Sequence, residues 1–150
     1  MTGVQTCALP ISPGTARLED LIAGARRAGL ETTFAATGDL VPLPAAVDLA
    51  AYRIIQESLT NTIRHAGPAT AAVSLAYQND ELRIDVTDTG RGQPVIAGNT
   101  GGHGLAGMRE RAAAVGGTVK AGPGPAGGFR VAARLPFSAN PIDAREGARP

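Results

Sequence analysis

The chain of 150 residues contains no tryptophan, two tyrosines and three phenylalanines, so its core has to be assembled from Ala, Val, Leu and Ile. Cysteine occurs once, at Cys7, which excludes an internal disulfide framework and makes a reducing compartment the expectation. No apolar run approaches the roughly 18 residues of a membrane-spanning helix. An excess of charge of either sign is also missing: 14 basic against 13 acidic residues leave a formal +1. No basic block stands out, so nucleic acid is not an expected partner. Composition also excludes a disordered chain, because 43% hydrophobic against 18% charged residues is enough to bury a core. What the sequence does have is 20 glycines and 11 prolines, hence many turns, within the length of one domain.

Residues Met1–Ser12 (MTGVQTCALPIS) carry neither a structural period nor a charge. They resemble the translation of a sequencing-library adapter and are expected to be foreign, so the native reading frame is expected to continue upstream. They also lack the basic and apolar regions of a signal peptide. Apolar residues at Ala16, Leu18, Leu21, Ile22 and Ala25 then predict a short amphipathic helix over Gly14–Gly29, and the β-rich Leu30–Thr37 predicts a strand that closes at Gly38-Asp39. Leu40 to Pro44 must be extended, because each proline restricts the residue before it. From Pro44, the three- and four-residue recurrence of Val47, Ala51, Ile54 or Ile55, Ser58 or Leu59, and Thr62 or Ile63 predicts the longest helix, stopped by Gly67-Pro68.

Thr70–Gln78 and Glu81–Thr87 alternate and are joined at Asn79-Asp80, which predicts an antiparallel hairpin. Asp88–Gly104 is rich in glycine and reads as one long loop, and loops of this length in compact domains are usually functional or disordered. Leu105–Val115 reads as a helix ended by Gly116-Gly117. Thr118–Ala121 and Phe129–Leu135 read as strands around a Gly122–Gly128 turn, and Ser138–Pro150 as a disordered tail.

Four features carry chemistry. On the long helix, Glu57 and Asn61 are four residues apart and share a face, about 5–6 Å from one another, with His65 a turn further on. A carboxylate beside an amide carbonyl offers the hard oxygens that suit a hydrated Mg²⁺, although the same residues are ordinary on a solvated helix face. Asp88-Thr89-Gly90-Arg91-Gly92 ends a strand with a carboxylate followed by glycines, able to accept a hydrogen bond from an exocyclic amine. A lone Asp-Thr-Gly excludes aspartic-protease chemistry within one chain, because that needs two such carboxylates. Gly101-Gly102-His103-Gly104-Leu105 leads glycines into a helix N-terminus, where free N–H groups favour phosphates. Neither a Walker A loop nor a dinucleotide fingerprint fits that spacing. Gly127-Gly128-Phe129-Arg130 opens the last strand, and a plain turn explains it as well as any contact.

In this order, QESLTNTIRHA, DTGRG, GHGLAGMRER, GGTV and GGFRVAARLP resemble the catalytic and ATP-binding domain of bacterial sensor histidine kinases over Val47 to Pro136. It resembles most the subclass paired with response regulators that have helix-turn-helix outputs, in which the lid is short and a separate Phe-containing box is lacking. The resemblance implies a Bergerat ATP-binding fold, an α+β two-layer sandwich with a mixed, mostly antiparallel sheet on about three helices. It implies ATP and Mg²⁺ as ligands. Asn61 would hold Mg²⁺, and Glu57 would act near the γ-phosphate and reach the metal through water. Arg64 and His65 would lie near the phosphates, Asp88 would bind the adenine amino group, and Gly90 and Gly92 would shape that wall. Gly102, His103, Gly104, Leu105 and Gly107 would belong to the lid segment that closes over the triphosphate.

The domain organisation implied is 1–12 foreign, 13–29 a linker from a dimerisation domain, 30–137 the ATPase domain and 138–150 the tail. The phosphoacceptor histidine of such kinases stands on an upstream helical hairpin. His65 and His103 lie in nucleotide-binding boxes, so this chain is not expected to autophosphorylate by itself. The partners implied are that hairpin, a response regulator and a second copy in the full-length homodimer, in the cytoplasm or anchored to the inner membrane by the missing part. A serine kinase of the anti-sigma type and a non-catalytic nucleotide-binding interaction domain are the alternatives.

Overall fold

The computed structural model describes residues 13–78, 80–90, 101–125 and 127–137. Cys7, Gly92 and the tail from 138 lie outside the described residues. The elements in chain order are α1 (Pro13–Arg27), β1 (Glu31–Gly38), α2 (Ala45–His65), β2 (Thr70–Tyr77), β3 (Glu81–Asp88), α3 (Gly101–Ala114), β4 (Thr118–Pro123) and β5 (Phe129–Pro136). The strands form one five-stranded sheet in the order β1-β2-β3-β5-β4. β1 runs parallel to β2 and the other pairings are antiparallel. This is the α+β two-layer arrangement expected, with three helices against one face.

Alternation along the strands divides the two faces. In β3, Leu82, Ile84 and Val86 are buried, and so is Asp88, the next residue of the same parity. The register sets Val86 between Val73 and Val131, and Ile84 between Leu75 and Ala133, so one apolar stripe crosses three strands. The opposite face is charged. Arg130 donates to Asp85 through Nε at 2.7 Å and Nη2 at 2.5 Å, and Arg83 pairs with Glu81 at 2.7 Å. Asp85 holds the Arg130 guanidinium above its ordinary pKa by hydrogen bonding and then by charge attraction. Exposed pairs of this kind contribute little to stability.

α2 lies across the sheet and packs on α1, α3, β2, β3 and β5. Its inward stripe runs Val47, Ala50, Ala51, Ile54, Ile55, Ser58, Leu59, Thr62, with Ile54 and Ile55 fully enclosed. Arg64 and His65 stand in its last turn, where the helix dipole favours basic groups. α1 turns Leu18, Ile22 and Ala25 into the same core as α2 and the sheet. Arg17 stacks over the Tyr52 ring at 4.6 Å.

α3 starts four residues earlier than its sequence suggests. Gly101 to Gly104, expected as the end of a loop, form its first turn. Each glycine costs a helix about 1 kcal/mol relative to alanine. Tertiary packing outweighs that cost: a Cβ on Gly104 would stand 2.5 Å from Glu57 Oε1, so α3 can approach α2 closely because the side chain is missing. Leu105, Met108 and Ala112 then carry α3 into the core.

Candidate functional site

The described residues bury four polar side chains, and three of them meet at one point: Ser58 and Thr62 of α2 and Asp88 of β3. The apolar stripes of helix and strand both end in polar residues there. Asp88 is 8% exposed, so it is nearly enclosed yet still open on one side. A buried carboxylate needs hydrogen bonds to offset lost hydration. Its Oδ1 accepts the Gly90 N–H at 2.9 Å and the Phe129 N–H at 3.2 Å, and its Oδ2 lies 3.2 Å from Thr62 Oγ1. Thr62 Oγ1 also lies 3.0 Å from the Ser58 carbonyl oxygen. The Ser58 hydroxyl donates back to Ile54 O at 2.7 Å and lies 3.6 Å from Met108 Sδ, which brings α3 against the same cluster.

The backbone around Asp88 is pinned from three sides. Thr89 N–H donates to Thr70 O at 3.0 Å, and Thr70 N–H donates to Thr89 Oγ1 at 2.9 Å. Gly90 presses on the end of α2, where a Cβ would overlap the Ala66 side chain and stand 2.7 Å from Ala66 O. Gly128 passes so close that a Cβ would overlap the Asp88 carbonyl oxygen. Strand β5 therefore enters the sheet through a glycine that lets the Phe129 N–H reach Oδ1.

Of the residues singled out from the sequence, Asp88 and Gly90 stand in this cluster, and Asn61 is the chain neighbour of Thr62. Glu57 and Asn61 are half-buried on one face of α2, and Glu57 abuts Gly104 at the start of α3. Arg64 and His65 are exposed at the end of α2. Leu105 is buried beneath α3, and the position of a Cβ on Gly107 faces the Arg111 guanidinium. Gly102 and His103 belong to the first turn of α3, and Gly92 lies outside the described residues. Sequence reading missed Thr62 as a polar partner, and it singled out Gly128 and Phe129 without linking either to Asp88. Thr62 was counted among the core-facing positions of α2. The available signal was a hydroxyl four residues beyond Ser58 in an otherwise apolar stripe.

No group of three or more His, Cys, Asp or Glu that could enclose a metal occurs among the described residues. The donor set on α2 is instead one carboxylate and one amide oxygen, which fits a Mg²⁺ that keeps waters and takes its remaining ligands from phosphates.

A mixed five-stranded sheet under three helices, with a buried carboxylate closing its third strand, has the fold of a histidine kinase catalytic domain. The catalytic domain of histidine kinase ThkA matches with a TM-score of 0.62 and 15% identity, covering 82% of this chain and 95% of that one. A blue-light activated histidine kinase of Erythrobacter litoralis matches with a TM-score of 0.65 and 25% identity, over 82% of this chain and 41% of that one. The chain belongs to the histidine kinase-, DNA gyrase B- and HSP90-like ATPases, whose family pattern covers residues 46–139. Sensor histidine kinase LnrJ of Bacillus subtilis is 37% identical over 63% of this chain and 23% of its own length. Sensor histidine kinase MctS of Rhizobium johnstonii is 38% identical over 77% of this chain and 26% of its own. The chain thus spans about a quarter of the length of these relatives, and it carries the ATP-binding domain in the form found in sensor histidine kinases.

Proposed function

We propose that this chain is the nucleotide-binding part of a two-component sensor histidine kinase, and that it presents the ATP γ-phosphoryl to a histidine on a separate helical hairpin. The observation that carries this reading is Asp88. One of its oxygens is filled by two backbone N–H groups, which leaves Oδ2 as the acceptor for the adenine amino group. Gly90 lets the end of α2, and Gly128 the start of β5, close in on this point.

Glu57 and Asn61 stand on the neighbouring face of α2 and supply the hard oxygens of a Mg²⁺ site, Asn61 directly and Glu57 through water. The ion, when bound, neutralises charge on the β- and γ-phosphates. Glu57 orients the acceptor or takes its proton. Arg64 and His65, at the exposed end of α2, face the phosphate side. Gly102, His103, Gly104, Leu105 and Gly107 belong to the segment that covers the triphosphate, with the start of α3 offering N–H groups to it. Phosphoryl transfer rests mainly on positioning and charge stabilisation, so nucleotide held here without its acceptor turns over slowly.

The remaining roles extend beyond this chain. The partners are the dimerisation hairpin, a second copy in the full-length dimer and a response regulator with a helix-turn-helix output. Among the described residues no helix is long and apolar enough to cross a membrane. We place the domain in the cytoplasm, with any anchor in the upstream part, and read residues 13–29 as the approach from the hairpin and 30–137 as the ATPase domain.

The direct test is calorimetric titration of the chain with ATP and with GTP, each with and without Mg²⁺. ATP binding that is tighter than GTP binding and strengthened by Mg²⁺ is expected. Equal affinity for the two nucleotides would refute the role of Asp88.

A further inference from the structure

Thr62 was not singled out by the sequence, and the nucleotide reading does not use it. Its side chain is 6% exposed, and its hydroxyl oxygen lies 3.0 Å from the Ser58 carbonyl and 3.2 Å from Asp88 Oδ2. Both neighbours are pure acceptors, and a threonine hydroxyl carries a single proton. That proton serves one of them at a time. Given to Asp88, it makes a charge-assisted bond that fixes the carboxylate plane. Given to Ser58, it closes the usual bond of a helical threonine to the carbonyl four residues back. Thr62 Oγ1 and Asp88 Oδ2 then form a pair of bare acceptors 3.2 Å apart.

The two states differ in what they accept. A pair of acceptors favours a donor between them, and an amino group supplies two N–H bonds. A carbonyl oxygen in the same place would face Asp88 Oδ2, and no rotation of the Thr62 proton removes that repulsion. Asp88 Oδ1 takes no part in this choice, because Gly90 and Phe129 already occupy it. We propose that Thr62 is a positioning and specificity residue, whose hydroxyl proton moves from Asp88 to Ser58 when a 6-aminopurine binds and so strengthens the preference for purine nucleotides that carry the 6-amino group. This rests on Asp88 being the adenine-reading carboxylate.

The test compares Thr62→Val, which keeps shape and removes the hydroxyl, with Thr62→Ser, which keeps the hydroxyl. Each is titrated with ATP and with purine riboside triphosphate, which lacks the 6-amino group, after thermal melting has confirmed the fold. Thr62→Val is expected to weaken ATP roughly tenfold, the scale of one hydrogen bond to a charged group. Purine riboside triphosphate should stay within about twofold, because it makes no bond that Thr62 supports. Thr62→Ser should restore the ATP preference. A wild-type protein that prefers ATP and a Thr62→Val variant with the same preference would overturn the role of Thr62 alone. Equal losses for both nucleotides in Thr62→Val would overturn it too, by showing a purely structural part. A wild type that binds the two nucleotides equally would overturn the adenine reading of Asp88 and this inference with it.

Discussion

Gly128 lies against Asp88 with no room for a side chain: a Cβ there would overlap the Asp88 carbonyl oxygen and stand 2.8 Å from Oδ1. The contact joins the end of β3 to the start of β5 at the point where the Phe129 N–H reaches the carboxylate. Gly128→Ala should therefore push the strands apart and break that hydrogen bond. Overpacking of this kind typically costs about 1–3 kcal/mol. Thermal melting should show the loss of stability, and ATP affinity should fall with it. An alanine variant with unchanged melting and binding would mean that β5 yields at no cost.

Asp88→Asn tests the polarity of the same point. The two backbone N–H groups on Oδ1 require the amide oxygen to take that position, which turns the NH₂ toward Thr62 and the ligand. A donor then faces the adenine amino group, while the guanine carbonyl becomes acceptable. ATP affinity should fall far more than GTP affinity in paired titrations. Equal effects on both would show that Asp88 does not read the base.

Much of this arrangement can be read along the chain, because it depends on period. Leu82, Ile84 and Val86 place Asp88 on the core side of β3, and the stripe from Val47 to Leu59 places Glu57 and Asn61 beside the core. The partners of Asp88 could not be read in that way. Thr62 meets it because α2 crosses the sheet at one particular angle, and Gly128 meets it because the β3–β5 register pairs Thr87 with Arg130. Both contacts are made by tertiary geometry between distant segments. The early start of α3 has the same origin: local propensity favours a loop at Gly101–Gly104, and packing against Glu57 decides for a helix.

That contact between Gly104 and Glu57 can be measured by a double-mutant cycle. Gly104→Ala sets a methyl group 2.5 Å from Glu57 Oε1, so the Glu57 carboxylate has to turn aside, and that crowding opposes the helix propensity of about 1 kcal/mol that alanine adds. In a Glu57→Ala background the obstruction is gone. The two substitutions should therefore be non-additive, with a coupling of about 1 kcal/mol or more in denaturant unfolding. Strict additivity would place the Glu57 carboxylate elsewhere.

Asn61→Ala addresses the metal. If the amide oxygen is a ligand, ATP affinity in the presence of Mg²⁺ should drop roughly tenfold or more, the scale on which lost metal-site partners are felt. Affinity in EDTA should hardly change, and the melting temperature should stay close to wild type because Asn61 is only half-buried. Equal losses with and without Mg²⁺ would assign Asn61 to the nucleotide and not to the ion.

The last prediction concerns where the folding unit begins. Leu18 and Ile22 of α1 are 4% and 2% exposed and belong to the same core as Ile54 and Leu82. A helix that served only as a tether would keep such residues out of the core of the domain that follows it. Ile22→Ala should cost about 2–5 kcal/mol, as for other buried aliphatic truncations, and removal of residues 1–29 should cost more. Removal of residues 1–12 alone deletes an uncharged stretch without a structural period, and the melting temperature should not change. Urea unfolding of the three variants separates the cases. If Ile22→Ala unfolds at the wild-type midpoint, α1 is an appendage and the domain starts at β1; a large shift makes α1 part of the cooperative unit that carries the nucleotide site.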